Sequence, residues 1–319
     1  MAVKILDCTL RDGGYVNDWN FGQDNINTII TNLKNLDIDL IEIGFCKCEG
    51  GNPNIAEYKN IHEINSSSIQ HNNLVVIVES GYKFDLGSIP ESCISKVKMI
   101  RIIVWKNSIF NAFEIAKSYL NKGYKICINF TRTDQYTPEE LLSLCEEFTS
   151  LEIEAFYIVD TFGSMYLEHF IKYSAFLDAN LPENICIGIH AHNNLNQANQ
   201  VAEYYTNIKS NRTYIIDATL SGIGRGAGNV CLELICKYMN FSNNSIYDID
   251  TMLKISQNII EPIIRNHYSG GKSSFIYSAI NNINPEYVVQ MDFNKDNVLK
   301  KLKNISDDDK VRFNSNSII

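Results

Sequence analysis

Short apolar runs alternate with longer segments whose apolar residues recur at helical spacing, the pattern of a parallel sheet joined by helices. The runs predict strands at 3–6, 40–45, 74–78, 99–104, 124–130, 155–159, 185–190 and 214–218. Between them, helical spacing predicts helices at 25–36, 110–121, 138–151 and 195–205, with Thr137 as a cap and Pro138 at the first helical position. Eight strand–helix units in roughly 240 residues match a TIM (β/α)8 barrel. The alternative, an open doubly wound sheet, rarely needs eight parallel strands. After about residue 240 the alternation stops. One long helix is expected at 248–267, then shorter helical pieces through 302 and a polar tail from 306. The expected architecture is therefore an α/β barrel over residues 1–240 and a small helical extension, 241–319, packed on it.

Polar residues gather where strand after strand is expected to end: Asp7 and Arg11, Glu42, Glu79, Asn129, Asp160, His190 and His192, then Asp217. A barrel carries its active site at that face. His190 and His192 are two apart, so on a strand both point to one side. Loops after the first and seventh strands converge over the mouth, which makes Asp12 a plausible carboxylate partner to the two histidines. Such a mixed imidazole and oxygen set suits Mn, Mg, Co or Zn. A lone H-x-H, by contrast, is more often a pair of structural or surface histidines. Arg11 carries a permanent charge and a planar fork of donors, suited to an enolate oxygen or a carboxylate. The competing reading pairs it with a structural acid such as Glu42 or Asp160. Both readings can hold at once.

The loop Gly222-Ile223-Gly224-Arg225-Gly226-Ala227-Gly228-Asn229 follows the eighth strand. Its glycines permit close backbone approach, and Asn229 can offer an oxygen to a metal or cap the next helix. Read in isolation, the same loop would suggest a phosphate cradle. His267 and Tyr268 are placed to overhang the barrel mouth, unless they are simply a helix end capped by Gly270. Cys46 and Cys48 have no second pair at zinc spacing, and Cys8 reads as inert packing.

Composition narrows the function. A net charge of −9 over 319 residues argues against a nucleic-acid or membrane-surface role. No apolar run is long enough to span a bilayer, and Asp7 and Arg11 interrupt any secretory signal. Nine cysteines without framework spacing fit a reducing compartment, so a cytoplasmic location is expected.

Five segments carry a resemblance: an opening D-x-T-L-R-D-G, I-E-I-G in the second strand, V-D-T-x-G at the sixth, H-x-H-N at the seventh, and the closing G-x-G-x-G-A-G-N. In order and spacing they resemble the DRE-TIM metallolyase superfamily, which includes HMG-CoA lyase, isopropylmalate synthase and 4-hydroxy-2-oxovalerate aldolase, the last being the most similar. The resemblance implies a TIM barrel holding a divalent metal ion, Mn or Mg, on Asp12, His190 and His192, with Asn229 close to or in its shell. It implies that Arg11 stabilises the enolate of a 2-oxo acid while a carbon–carbon bond next to a carbonyl breaks or forms. Glu42, Asn129, Asp160, Thr161 and Tyr268 are the candidate substrate contacts.

Two departures are visible within that resemblance. The aldolases have a proton-transferring histidine shortly after the arginine–aspartate pair, where Tyr15 stands here. The proton shuttle is then Tyr15, a water on the metal, or a residue such as His267. The cysteine that HMG-CoA lyases carry in the closing loop is also missing. The expected activity is aldol cleavage of a 4-hydroxy-2-oxo acid to pyruvate and an aldehyde, or the reverse. The alternatives are a Claisen-type acyl-CoA synthase or lyase and a non-catalytic binding homologue. Expected partners are the 2-oxo acid, an aldehyde dehydrogenase docked through the extension, or a second copy of the chain.

Overall fold

The computed structural model describes residues 3–47, 50–242, 245–266, 272–291 and 297–318. Eight parallel strands close into a barrel: β1 (Val3–Asp7), β2 (Leu40–Cys46), β3 (Leu74–Glu79), β4 (Val97–Val104), β5 (Lys125–Phe130), β6 (Ile153–Val159), β7 (Cys186–His190) and β8 (Tyr214–Ala218). Each pairs with its sequence neighbours. Closure comes from β1, which pairs with β8 through Val3–Tyr214 to Asp7–Ala218 and with β2 through Leu6–Leu40 and Asp7–Ile41. The fold is a TIM barrel with extra C-terminal helices.

The crossovers run through α1 (Gln23–Asn35), α2 (Ile61–Ser66), α3 (Ile109–Leu120), α4 (Pro138–Thr149), α5 (Leu167–Asn180), α6 (Ala198–Asn207) and α7 (Leu232–Ser242). Between β3 and β4 the crossover has only two 3-10 turns, Leu86–Ser88 and Ser92–Ile94. Thr137 caps α4 by accepting the Glu140 amide at 3.1 Å, and Glu140 returns the bond to the Thr137 amide at 2.9 Å. Helix α5 has no serine or threonine cap. There the His169 Nδ1 atom accepts the Tyr166 amide at 2.9 Å, so the usual start signal is missing from the sequence.

The extension consists of α8 (Ile249–Ile255), α9 (Glu261–Asn266), α10 (Ser273–Ile280), α11 (Glu286–Gln290) and α12 (Val298–Lys303). The helix expected at 248–267 runs without a break from Ile249 to Asn266 and carries a π-helical turn, Ser256–Ile260, between α8 and α9. There the buried Ser256 hydroxyl donates to Glu233, whose carboxylate also accepts the Ser221 amide at 2.9 Å. One surplus residue in the turn thus ties the extension to the loop after β8.

Two apolar assemblies hold the molecule together. The larger lies between the barrel and its helices, with residues such as Ile29, Leu33, Ile115, Leu141, Phe148 and Leu177 packed against outward-facing strand positions. The smaller fills the lumen with Leu6, Val75, Met99, Cys127, Ala155, Cys186 and Ile215, with Leu40 against them. Because strand side chains alternate, the residues two positions further along also face inward. Among them are Glu42, Arg101, Asn129 and Asp217, all buried, while Cys8 and Tyr157 stay with the apolar cluster. The lumen therefore changes from apolar to charged within one pleat.

Candidate metal centre

The chain turns sharply as it leaves β1. The Asp7 carboxylate accepts the Thr9 amide at 3.0 Å and the Thr9 hydroxyl at 2.7 Å, and that hydroxyl accepts the Leu220 amide at 2.9 Å. A single helical turn, Thr9–Asp12, follows and brings Arg11 and Asp12 over the barrel end. Gly14 is required just beyond it. A Cβ there would lie 2.0 Å from the Trp19 ring, whose indole N–H donates to the Arg11 carbonyl at 2.7 Å. The Gly-Gly and the tryptophan of the opening segment are thus parts of one device that fixes the Arg11 backbone.

Asp12, His190 and His192 meet at this end, each offering a ligand atom within 4.8 Å of the other two. Asp12 Oδ1 is 3.9 Å from His190 Nε2, and Asp12 Oδ2 is 3.9 Å from His192 Nδ1. All three side chains are buried. Burial pushes the Asp12 carboxyl up, but Arg11, the two histidines and the Asn229 amide together hold it well below the usual carboxylate range. Burial dominates at His192, lowering its pKa to about 3 despite Asp12, so the imidazole is neutral with a lone pair to give.

Beneath the cluster runs a chain of buried ion pairs. Arg11 donates from Nη1 to Asp12 at 2.5 Å and from Nε to Glu42 at 2.7 Å. Glu42 also accepts from Arg101 at 2.9 Å, and Arg101 donates on to Asp217 at 2.5 Å. Asp217 lies 2.9 Å from His190 Nδ1. With the proton on Nδ1, His190 presents its Nε2 lone pair to the cluster. Asp217 is held below the usual carboxylate range, since Arg101 and His190 outweigh its burial. Arg101 also lies over the Tyr157 ring, 4.2 Å from its centroid.

The donor set fits a divalent cation. Three carboxylates, Asp12, Glu42 and Asp217, face two guanidiniums, Arg11 and Arg101, which leaves one formal negative charge buried beside the two imidazoles. The buried Asn229 side chain donates from Nδ2 to Asp12 at 2.5 Å, while its Oδ1 has no partner among the described residues. A Cβ at Gly224 would fall 1.9 Å from Asn229 Nδ2 and 2.5 Å from Asp12 Oδ2, so only glycine leaves room there.

A family model described as HMGL-like matches residues 2–259. The chain belongs to the HMGL-like family. It is 25% identical over 271 residues to a 4-hydroxy-2-oxovalerate aldolase of Geobacillus genomosp. 3, covering 82% of this chain and 78% of that one. It is 25% identical over 236 residues to an oxaloacetate decarboxylase of Mycobacterium tuberculosis, covering 72% and 68%. Among solved structures, the N-terminal domain of a Bacteroides vulgatus protein provisionally named an aldolase superposes with a TM-score of 0.74 at 24% identity, covering 94% of this chain and 99% of that one. That likeness carries the fold.

Within this HMGL-like chain, not every residue anticipated at the site faces it. Glu42 lies within β2 and is buried, its Oε2 accepting from both Arg11 and Arg101. Asp160 turns back on its own loop, accepting the Ser164 amide at 2.8 Å and the Met165 amide at 3.2 Å. Burial raises its pKa to about 8 against those two bonds. Thr161 accepts the Arg132 amide at 2.7 Å and so joins two loops. Asn129 is buried in the lumen, and its Oδ1 has no partner among the described residues.

The Tyr15 ring packs 4.8 Å from the Trp19 ring, centroid to centroid, with the Arg225 guanidinium carbon 5.5 Å from its own centroid. Burial pushes its phenol up to about 12, partly offset by Arg225, so near neutral pH it is a proton donor and not a base. His267 and Tyr268 lie outside the described residues. Sequence reasoning missed Arg101, Tyr157 and Trp19 as supports. The available signal for Arg101 was a charge inside an apolar strand, in phase with Met99.

Proposed function

We propose that this chain is a divalent-metal-dependent lyase that cleaves or forms a 4-hydroxy-2-oxo acid, with pyruvate as one fragment. The observation that carries the reading is the buried triad Asp12, His190 and His192 with Arg11 beside it, braced by Glu42. Asp12, His190 and His192 would hold the cation, with Asn229 adjacent, and the resemblance to the metallolyases favours Mn or Mg. When bound, the cation supplies Lewis acidity toward the carboxylate and keto oxygens of a 2-oxo acid.

Arg11 performs the complementary task. Its Nε and Nη1 are committed to carboxylates, and Nη2 has no hydrogen bond from the described residues. That nitrogen is placed to meet the oxygen on which negative charge grows as the carbon–carbon bond breaks. Fixed by two acids and by the Trp19 bond to its carbonyl, the guanidinium needs little reorganisation to do so. Tyr15, protonated throughout the neutral range, offers an O–H to a substrate oxygen. Arg101 and Asp217 hold the His190 tautomer.

The test is exchange of the pyruvate methyl protons with deuterium, followed by NMR in the presence of Mn or Mg. Wild type should exchange, and Asp12→Asn should slow exchange by about 10³-fold or more, as loss of a positioned electrophile does. Absence of exchange in wild type with metal bound would refute the proposal.

A further inference from the structure

The loop after β8 holds an arginine that the metal chemistry does not use. Its backbone is pinned on both sides: the Arg225 amide donates to Asp12 Oδ2 at 3.2 Å, the Gly228 amide to the Arg225 carbonyl at 3.1 Å, and the Ala227 amide to Asn194 Oδ1 at 2.9 Å. From that fixed base the side chain extends over Tyr15, its guanidinium carbon 5.5 Å from the ring centroid.

Its hydrogen bonding is incomplete. Nη2 donates to Asn284 Oδ1 at 2.8 Å, a neutral amide oxygen that the Glu286 amide also uses at 3.0 Å. Among the described residues Nε is buried with no partner, and no carboxylate pairs with Arg225. Arg11, by contrast, has two carboxylates on two of its nitrogens. Asn284 is itself anchored, donating from Nδ2 to the Val311 carbonyl at 3.2 Å, so the extension orients the guanidinium without neutralising it. A buried guanidinium N–H left open costs about 1–3 kcal/mol, and an anion is the partner that recovers most of this.

We infer that Arg225, oriented by Asn284, binds a carboxylate on the part of the substrate remote from the metal centre, so that the fragment joined to pyruvate is anionic and not a neutral aldehyde. The inference rests on the proposed lyase reading and names its substrate class: 2-oxo acids bearing a second carboxylate. In the cleavage direction the C3–C4 bond breaks, its electron pair returns to C3, the C4 hydroxyl loses its proton to a base, and C4 becomes a carbonyl. A proton added at C3 completes pyruvate. Arg225 makes and breaks none of these bonds. It holds the carboxylate attached to C4 and is a specificity residue.

The test compares glyoxylate with acetaldehyde as acceptors for pyruvate, using the full chain loaded with Mn. Wild type should favour glyoxylate in kcat/KM, and Arg225→Gln should lower the glyoxylate-to-acetaldehyde ratio by about 100-fold, chiefly through KM for glyoxylate. Arg225→Lys should recover part of the ratio, because charge returns without the fork. Asn284→Ala, which leaves the loop sequence intact, should lower the ratio by about 5–10-fold, the scale of one hydrogen bond. A wild type that prefers acetaldehyde, or an Arg225→Gln variant that loses both acceptors equally, would overturn the inference while leaving the lyase reading in place. A wild type that fails even to exchange the pyruvate protons would remove both.

Discussion

The two halves of the barrel lumen are built on the same strands, two residues apart, and have opposite chemistry. Leu40 precedes Glu42, Met99 precedes Arg101, Cys127 precedes Asn129, and Ile215 precedes Asp217. The first of each pair belongs to an apolar plug, the second to a buried polar layer beneath the catalytic face. The plug stabilises by removing hydrocarbon from water and can relax when trimmed. The charged layer adds little by comparison with a hydrophobic equivalent, because desolvation offsets most of its attraction. Its contribution is positional: it fixes Arg11 and the His190 tautomer before any ligand arrives. The difference shows that the depth of a residue within a barrel decides whether a buried side chain serves stability or chemistry.

Substitutions across the boundary break this comparison. Arg101→Met should have the largest effect, since it leaves both Glu42 and Asp217 short of a cation in a dry interior. Loss of about 3–5 kcal/mol in denaturant unfolding is expected, in line with breaking other buried pairs. Metal affinity should fall by about 10–100-fold as well, through the His190 orientation. Met99→Ala, one pleat below, should cost about 2–5 kcal/mol yet leave metal affinity and proton exchange close to wild type. If Met99→Ala damaged the metal site as much as Arg101→Met, the division between plug and charged layer would be wrong.

The same boundary explains what could be seen in the sequence. His190 and His192 were legible because their spacing alone fixes a shared face, and Asp12 because a loop from β1 reaches that face. Eight strands were legible from their apolar runs. Their C-terminal ends were legible too, to within one residue, but not that Glu42 and Asp217 would turn their carboxylates to Arg101 within the lumen. Asp160 and Thr161 gave no sign that they would bond to backbone amides of nearby loops. Trp19 was invisible as a brace, since its role depends on a left-handed turn at Asp18 and Trp19 that only the folded chain displays. Arg225 was passed over among glycines because its partner Asn284 lies 59 residues further along the chain.

The central claim is that Asp12, His190 and His192, far apart in the sequence, form one pre-arranged cation site. Calorimetric titration of Mn into the metal-free chain near neutral pH tests it most directly. One ion per chain should bind to wild type, and Asp12→Asn, His190→Ala and His192→Ala should each weaken binding by about 100-fold or more, as removal of a ligand does. Binding that survives all three substitutions unchanged, or a wild type that takes up no ion, would contradict the account.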